Sequence, residues 1–260
     1  MENIGIIGIG NMGGAILRAL IKSDFNVVIA NRTSEKLKEY GKYKNVEIAD
    51  SNISLVKKCK YVILAVKPNM YESVGREITS ALKDESVIIS IAASFDKDKL
   101  KGIFKDVKTV LSMPNTPAMV SEGMSAVCFD EILNEQERED VLEIFESFGR
   151  VAVLEEKDFA AFGAVCGALP AYVYMFIEAC CDAAVLEGMS RKDSYEFIAQ
   201  TVLGSAKMVI ESKKHPAELK DMVTSPGGTT IEGLKVLEDL NFRSAIINAI
   251  DAATQKYKRM

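Results

Sequence analysis

Residues 8–13 read Gly8-Ile9-Gly10-Asn11-Met12-Gly13, three glycines at the spacing GxGxxG. They end an apolar run, Ile4 to Ile9, and open a helically patterned stretch, Met12 to Ile21. That strand–turn–helix setting is what the spacing needs to hold a dinucleotide. Gly8 permits the sharp turn, Gly10 lets the backbone approach a pyrophosphate, and Gly13 lets helix pack on strand. The first N–H groups of the helix, at Asn11 and Met12, offer unpaired donors to the phosphates. An ordinary tight turn uses glycines too, and it is the context that favours the dinucleotide. The next apolar run, Asn26 to Ala30, is followed by Asn31-Arg32-Thr33-Ser34. Chains that bind NAD usually carry an acid there. Here no carboxylate repels a 2′-phosphate, and a guanidinium and two hydroxyls are present to bind one. NADPH is therefore the expected cofactor, with NADH admissible. Arg32 as a solvated charge, with Thr33 or Ser34 capping the following helix, is compatible with that reading and is also its plain alternative.

Further candidates sit at the ends of later runs. Ala65-Val66-Lys67-Pro68 closes the run Tyr61 to Val66, where open α/β sheets place ligands, and Pro68 suits a first helical turn. Lys67 is expected to point at the nicotinamide or ribose, or else to be solvated. Ser90-Ile91-Ala92-Ala93 holds the same position one strand on, and small residues such as Ala92 permit close approach of the cofactor. Met113-Pro114-Asn115-Thr116-Pro117-Ala118 sets two prolines around Asn115, a rigid loop or an ordinary turn. Thr224-Ser225-Pro226-Gly227-Gly228-Thr229-Thr230 precedes a helix and can present N–H groups and hydroxyls to an anion, a carboxylate for choice. The bland reading of that loop is a helix start capped by Thr229 or Thr230.

The elements that must position these residues fall into two classes. Up to about residue 155, β-rich runs alternate with amphipathic stretches. Besides the three runs already named, Ser86 to Ile91 and Lys108 to Leu111 read as strands, with Ala126 to Phe129 and Arg150 to Leu154 weaker. Unbroken apolar runs suggest strands covered on both faces, hence a parallel, doubly wound α/β domain over 1–155. From Asp158 no strand is expected. Phe159 to Leu186, Arg191 to Ser212, Pro216 to Val223, Thr229 to Leu240 and Phe242 to Lys258 read as helices, an all-α domain over 156–260. Ser190 or Asp193 caps one of them, and Pro170 should kink or interrupt another. Phe159 to Leu186 is apolar on most faces and must be buried, by a second copy of the chain if the domain is too small to do it alone.

Composition excludes several classes. A net charge of −5 argues against a nucleic-acid binder held by a basic surface. Five scattered cysteines without a CxxC pair and a single histidine, His215, argue against a metal site or a disulfide framework, and fit a reducing cytoplasm. Cys166, Cys180 and Cys181 read as packing residues, and His215 as a cap or surface residue. The N-terminus lacks a basic secretion start, and Ala164 to Ile177 is too short an apolar stretch for a bilayer. The expectation is a cytoplasmic enzyme with a small-molecule substrate, no membrane and no nucleic acid.

Taken together, GIGNMGGAI at 8–16, AVKP at 65–68, MPNTPA at 113–118, His215 to Asp221 and, above all, TSPGGTTIEGL at 224–234 resemble pyrroline-5-carboxylate reductase, the last enzyme of proline biosynthesis. The resemblance implies a Rossmann-type domain, and a helical domain that forms a homodimer through its C-terminal helices, with dimers joining into larger rings. It implies reduction of Δ1-pyrroline-5-carboxylate to L-proline by NADPH or NADH. It places the substrate carboxylate on Ser225, Gly227, Gly228, Thr229 and Thr230, the Thr230 hydroxyl near the ring nitrogen as the catalytic group, and the cofactor ribose at Asn52. The chain departs from the family where Cys166, Ala168 and Leu169 replace two serines and a glycine, and where Leu111-Ser112 replaces Arg-Val. Reduction of another cyclic imine, or a cofactor-binding regulator without turnover, are the alternatives. A hydroxy-acid dehydrogenase is disfavoured because the helix Phe159 to Leu186 has no lysine.

Overall fold

The structure, a computed structural model, describes residues 2–260 apart from the side chains of Ser34 and Lys36. The chain divides into two compact units, one running to Gly167 and including Thr254–Met260, the other Ala168–Ala253.

The first unit is built on an eight-stranded sheet: β1 (Ile4–Ile7), β2 (Val27–Ala30), β3 (Val46–Ile48), β4 (Tyr61–Leu64), β5 (Val87–Ser90), β6 (Lys108–Met113), β7 (Gly123–Phe129) and β8 (Gly149–Val153). Its order is β3-β2-β1-β4-β5-β6-β7-β8. Strand order therefore reverses at β1, which pairs in parallel with both β2 and β4. Along the central strands, alternate residues join two separate hydrophobic clusters. Ile4, Ile6, Val27, Ile29, Tyr61 and Ile63 lie in one, and Ile7, Val28, Ala30, Val62 and Leu64 in the other. Both faces are covered, which is why these strands read as unbroken apolar runs.

The helices of this unit are α1 (Asn11–Leu20), α2 (Asn52–Val56), α3 (Tyr71–Ile78), α4 (Lys97–Phe104), α5 (Glu135–Glu146) and α6 (Phe159–Phe162). Asn134 starts α5 with a reciprocal capping box to Glu137.

Two features correct the sequence reading. β3 was not foreseen; it is a three-residue edge strand whose Glu47 pairs with Lys58, too short and polar to show periodicity. β7 runs antiparallel to β6. The connection between them holds only the 3₁₀ turn Thr116–Val120 and its flanks, shorter than the dozen or so residues a parallel crossover needs.

The second unit is helical: α7 (Leu169–Leu186), α8 (Arg191–Ser212), α9 (Pro216–Met222), α10 (Thr229–Asp239) and most of α11 (Phe242–Tyr257). Ser190 caps α8 by accepting from Asp193 N, and His215 caps α9 through Nδ1, which accepts from Ala217 N at 3.2 Å. The expected single helix from Phe159 to Leu186 is divided by a π-helical segment, Gly163–Ala168, and Pro170 falls in the first turn of α7, where its missing N–H costs nothing. Between Glu156 and Leu186 the helical run is nevertheless long and apolar enough to cross a membrane. This corrects the expectation, drawn from residues 164–177, that no stretch has that length. Within one copy of the chain α7 is largely bare; of its residues only Cys181 is buried, and Tyr174, Met175, Phe176 and Leu186 are exposed.

Candidate active site

The ends of β1, β2 and β4 open onto a cleft of about 820 Å³, at the point where strand order reverses and open α/β sheets bind ligands. Gly8, Gly10, Asn11, Met12, Asn31, Arg32, Thr33, Asn52, Ala65, Val66 and Lys67 all line it. Gly8 has φ +99°, and a Cβ there would stand 2.8 Å from Ala65 O, so only glycine makes this turn. At Gly13 a Cβ would lie 2.1 Å from Gly8 O, which is how α1 packs against the strand end. Gly13 supports the loop from behind and does not line the cleft. At Gly10 a Cβ would meet nothing within 4 Å. The space is open in the protein itself and is free for a guest.

Asn31 is engaged within the chain. Its Oδ1 accepts from Ile9 N at 3.1 Å and its Nδ2 donates to Thr33 O at 3.0 Å. Arg32 is exposed and makes no ion pair among the described residues. Thr33 occupies the N-cap position of the 3₁₀ helix Ser34–Tyr40 without a side-chain cap bond, and the expected cap by Ser34 lies outside the described side chains. The open Gly10 face, the free guanidinium and the lack of an acid at 31–34 fit an NADP-type dinucleotide.

The far wall of the cleft was only partly foreseen. Asn52 donates from Nδ2 to Glu77 Oε2 at 2.9 Å, which leaves its carbonyl oxygen to accept from a guest. Asp50, Ser51, Met70, Ser73 and Glu77 also line this side. They come from the end of β3 and the exposed side of α3, and no local motif marks them. Besides Gly13, three expected cofactor residues lie off the cleft. Pro68 begins the 3₁₀ turn after Lys67. Ala92 is buried, its N–H donating to Ser90 Oγ at 3.3 Å. Asn115 is buried and braces the chain. Its Oδ1 accepts from Met124 N at 2.9 Å, and its Nδ2 donates to Cys166 O at 3.0 Å in the π-helical segment. Burial pushes the Cys166 thiol up.

The hydroxyl-rich loop stands at the N-terminus of α10. Thr224 is spent on structure, its Oγ1 donating to Lys220 O at 2.6 Å. Gly227 has φ +68°. The N-cap is Gly228, correcting the expectation of a Thr229 or Thr230 cap. A Cβ at Gly228 would lie 2.4 Å from Ser225 Oγ, so the serine hydroxyl fills the place a cap side chain would take. Ser225, Thr229 and Thr230 are exposed, and their hydroxyls make no hydrogen bond among the described residues. Three hydroxyls and the free first-turn N–H groups of an eleven-residue helix thus face outward together, a surface suited to a carboxylate.

Residues 156–260 match the family described as pyrroline-5-carboxylate reductase dimerisation, and residues 3–94 match NADP oxidoreductase, coenzyme F420-dependent. The chain is 42% identical to pyrroline-5-carboxylate reductase of Escherichia coli (strain K12), over all of this chain and 98% of that protein. It is 36% identical to the Methanosarcina acetivorans reductase, over all of this chain and 99% of that one. Among solved structures, pyrroline carboxylate reductase of Plasmodium falciparum with NADP bound superposes with a TM-score of 0.89 at 33% identity, covering 99% of this chain and 97% of that one. The Coxiella burnetii enzyme gives 0.91 at 30%, covering 99% and 98%. The dimerisation match spans the bare α7, so the chain carries a homo-oligomerisation domain and its apolar helix belongs to that domain's core. Likeness over the full length in sequence, in fold and in the dimerisation region shows that this chain belongs to the pyrroline-5-carboxylate reductase family.

Proposed function

We propose that the chain reduces Δ1-pyrroline-5-carboxylate to L-proline, with NADPH as preferred donor and NADH accepted. The observation that carries this is full-length identity of 42% to a reductase of that name. NADPH supplies, when bound, the hydride that the imine carbon receives. Gly8, Gly10, Asn11 and Met12 would hold its pyrophosphate, Arg32 and Thr33 its 2′-phosphate, and Asn52 a ribose. The loop Ser225 to Thr230 holds the substrate carboxylate on Ser225, the N–H groups and Thr229. Thr230 hydrogen-bonds the ring nitrogen, and its hydroxyl relays to that nitrogen a proton that water supplies and so restores to the threonine. A protonated imine is already electrophilic, so orientation supplies most of the rate and no strong acid is needed.

Domain limits of 1–155 and 156–260 suit a division of labour in which the first domain binds the cofactor and the second grips the substrate and dimerises. Dimers of this kind join into larger rings, and a cytoplasmic location suits a biosynthetic enzyme.

The replacements at Cys166, Ala168 and Leu169 favour a second reading, a reductase of another cyclic imine. The test is loss of NADPH absorbance on adding pyrroline-5-carboxylate, with proline identified as product. Turnover with proline formed supports the first reading. Bound NADPH without turnover, and with turnover of a different cyclic imine, replaces it with the second.

A further inference from the structure

Helix α3 is in use on two sides. Ser73, Val74 and Glu77 line the cofactor cleft, while Glu72 and Arg76 line a second cleft of about 710 Å³. That size lies within the range of small-molecule sites. Its other wall is α4 and the loop before it, with Phe95, Lys99 and Lys105. Gly102 leaves that wall open, since a Cβ there would meet nothing within 4 Å.

Three cations face one carboxylate in this cleft. Lys99 is pinned, its Nζ donating to Ser94 O at 2.9 Å and lying 3.4 Å from Asp96. Arg76 and Lys105 make no ion pair among the described residues. Lys105 stands at φ +50°, ψ −112°. A side chain is strained there, and strain of this kind clusters at ligand sites. The apolar wall is a supported aromatic ring. Phe95 stacks on Tyr71 with centroids 4.3 Å apart. Tyr71 OH donates to Leu64 O at 2.8 Å and accepts from Ser90 Oγ at 3.1 Å. Leu64 leads directly into Ala65 and Val66 of the cofactor cleft.

We propose that this second cleft binds a phosphate monoester carrying a flat ring, the ring against Phe95 and the phosphate between Arg76 and Lys105. Inorganic phosphate would leave Phe95 unused, and a neutral ring would leave both cations unpaired. The occupant presses on the helix that also walls the cofactor cleft, so occupancy of the two is coupled, and the coupling is reciprocal.

The test uses phenyl phosphate on the full chain. Tryptophan is absent from the sequence, so Phe95→Trp places a lone reporter at the site, and ³¹P line broadening follows the same titration on the unaltered chain. Saturable binding is expected with and without saturating NADP⁺, with a severalfold difference in affinity. Arg76→Gln combined with Lys105→Gln should weaken it at least tenfold. Benzyl alcohol and inorganic phosphate should each bind at least tenfold more weakly than the ester. No saturable binding, or undiminished binding to the double variant, overturns the proposal. Inorganic phosphate binding as well as the ester reduces the cleft to a simple anion site and overturns the ring's part. Binding that NADP⁺ abolishes places the probe in the cofactor cleft and overturns the proposal. Equal affinities with and without NADP⁺ overturn the coupling. None of these readouts requires turnover, so they stand apart from the reductase reading.

Discussion

The side-chain oxygen of Asn31 accepts the backbone N–H of Ile9 at 3.1 Å, so one amide ties the end of β2 to the glycine-rich loop after β1. Its nitrogen donates to Thr33 O at 3.0 Å, so the same amide also sets the segment that carries Arg32. Two hydrogen bonds of about 1 kcal/mol each orient both loops. Asn31→Ala should raise the KM for NADPH about tenfold and change kcat less than twofold. Asn31→Asp keeps the bond to Ile9, loses the donor to Thr33 and adds a negative charge, so it should hurt NADPH more than NADH. Steady-state kinetics with both cofactors checks this. Equal losses for the two would show that Asn31 acts on the fold and not on phosphate recognition.

Arg32 lines the cleft and makes no ion pair among the described residues. Arg32→Gln removes a charge-assisted contact worth about 1.5–3 kcal/mol. The KM for NADPH should rise by about one to two powers of ten while that for NADH moves less than threefold. A parallel loss for both cofactors would mean that Arg32 does not meet the 2′-phosphate.

Thr230 offers an exposed hydroxyl at the head of α10. Thr230→Ala should lower kcat/KM for the imine by about 10²–10⁴ if proton handling is lost, with NADPH affinity nearly unchanged. Thr230→Ser should recover most of the rate. If Thr230→Ser is as poor as Thr230→Ala, the methyl and the loop's shape matter, not the hydroxyl.

Stability should fall at alkaline pH. Burial pushes the Cys59 thiol up to about 12 from 9.0, and the Tyr71 phenol to about 12 from 10.0. Each folded-state value lies above the unfolded one, so the contribution is complete below pH 9 and is lost as pH rises from about 9 to about 12. For Cys59 the full loss is on the order of 4 kcal/mol. Urea unfolding at a series of pH values should show a flat region from pH 7 to 8.5 and then a decline. Cys59→Ala should be less steep between pH 9 and 10, and an unchanged slope there would rule out Cys59 as the source.

Most of this architecture is legible from local sequence because its signals are local. The β1–α1 junction shows itself in the spacing of Gly8, Gly10 and Gly13, and the buried strands in unbroken apolar runs. What stayed hidden depends on tertiary pairing. Glu77 enters the cleft only because α3 turns it beside Asn52, 25 residues away in sequence. Asn115 sits in a conspicuous motif, yet its amide is consumed by Met124 and Cys166, the latter 51 residues on. Conspicuousness marked a constrained residue there, but the constraint is a brace between segments. The apolar make-up of α7 was legible in the composition of Phe159 to Leu186, and within one copy of the chain the helix is largely uncovered.

The two glycines Gly10 and Gly13 separate cofactor binding from folding. A Cβ at Gly13 would lie 2.1 Å from Gly8 O, a backbone atom that cannot swing away. Gly13→Ala should therefore cost at least about 2 kcal/mol and lower Tm by several degrees, with cofactor affinity falling as the loop shifts. A Cβ at Gly10 meets nothing within 4 Å, and φ there is −93°, which any residue adopts. Gly10→Ala should leave Tm unchanged or raise it slightly, because the unfolded chain loses freedom without new strain. The added methyl would stand where a pyrophosphate approaches the loop, so NADP⁺ affinity should fall about tenfold or more. Thermal melts with and without NADP⁺ read both effects in one experiment. The original chain should gain Tm on adding cofactor, and Gly10→Ala should keep its own Tm and lose that gain. A Gly10→Ala protein that is stable and still shifts normally with NADP⁺ would mean that the pyrophosphate does not pass over Gly10, and the assignment of the glycine loop would have to be redrawn.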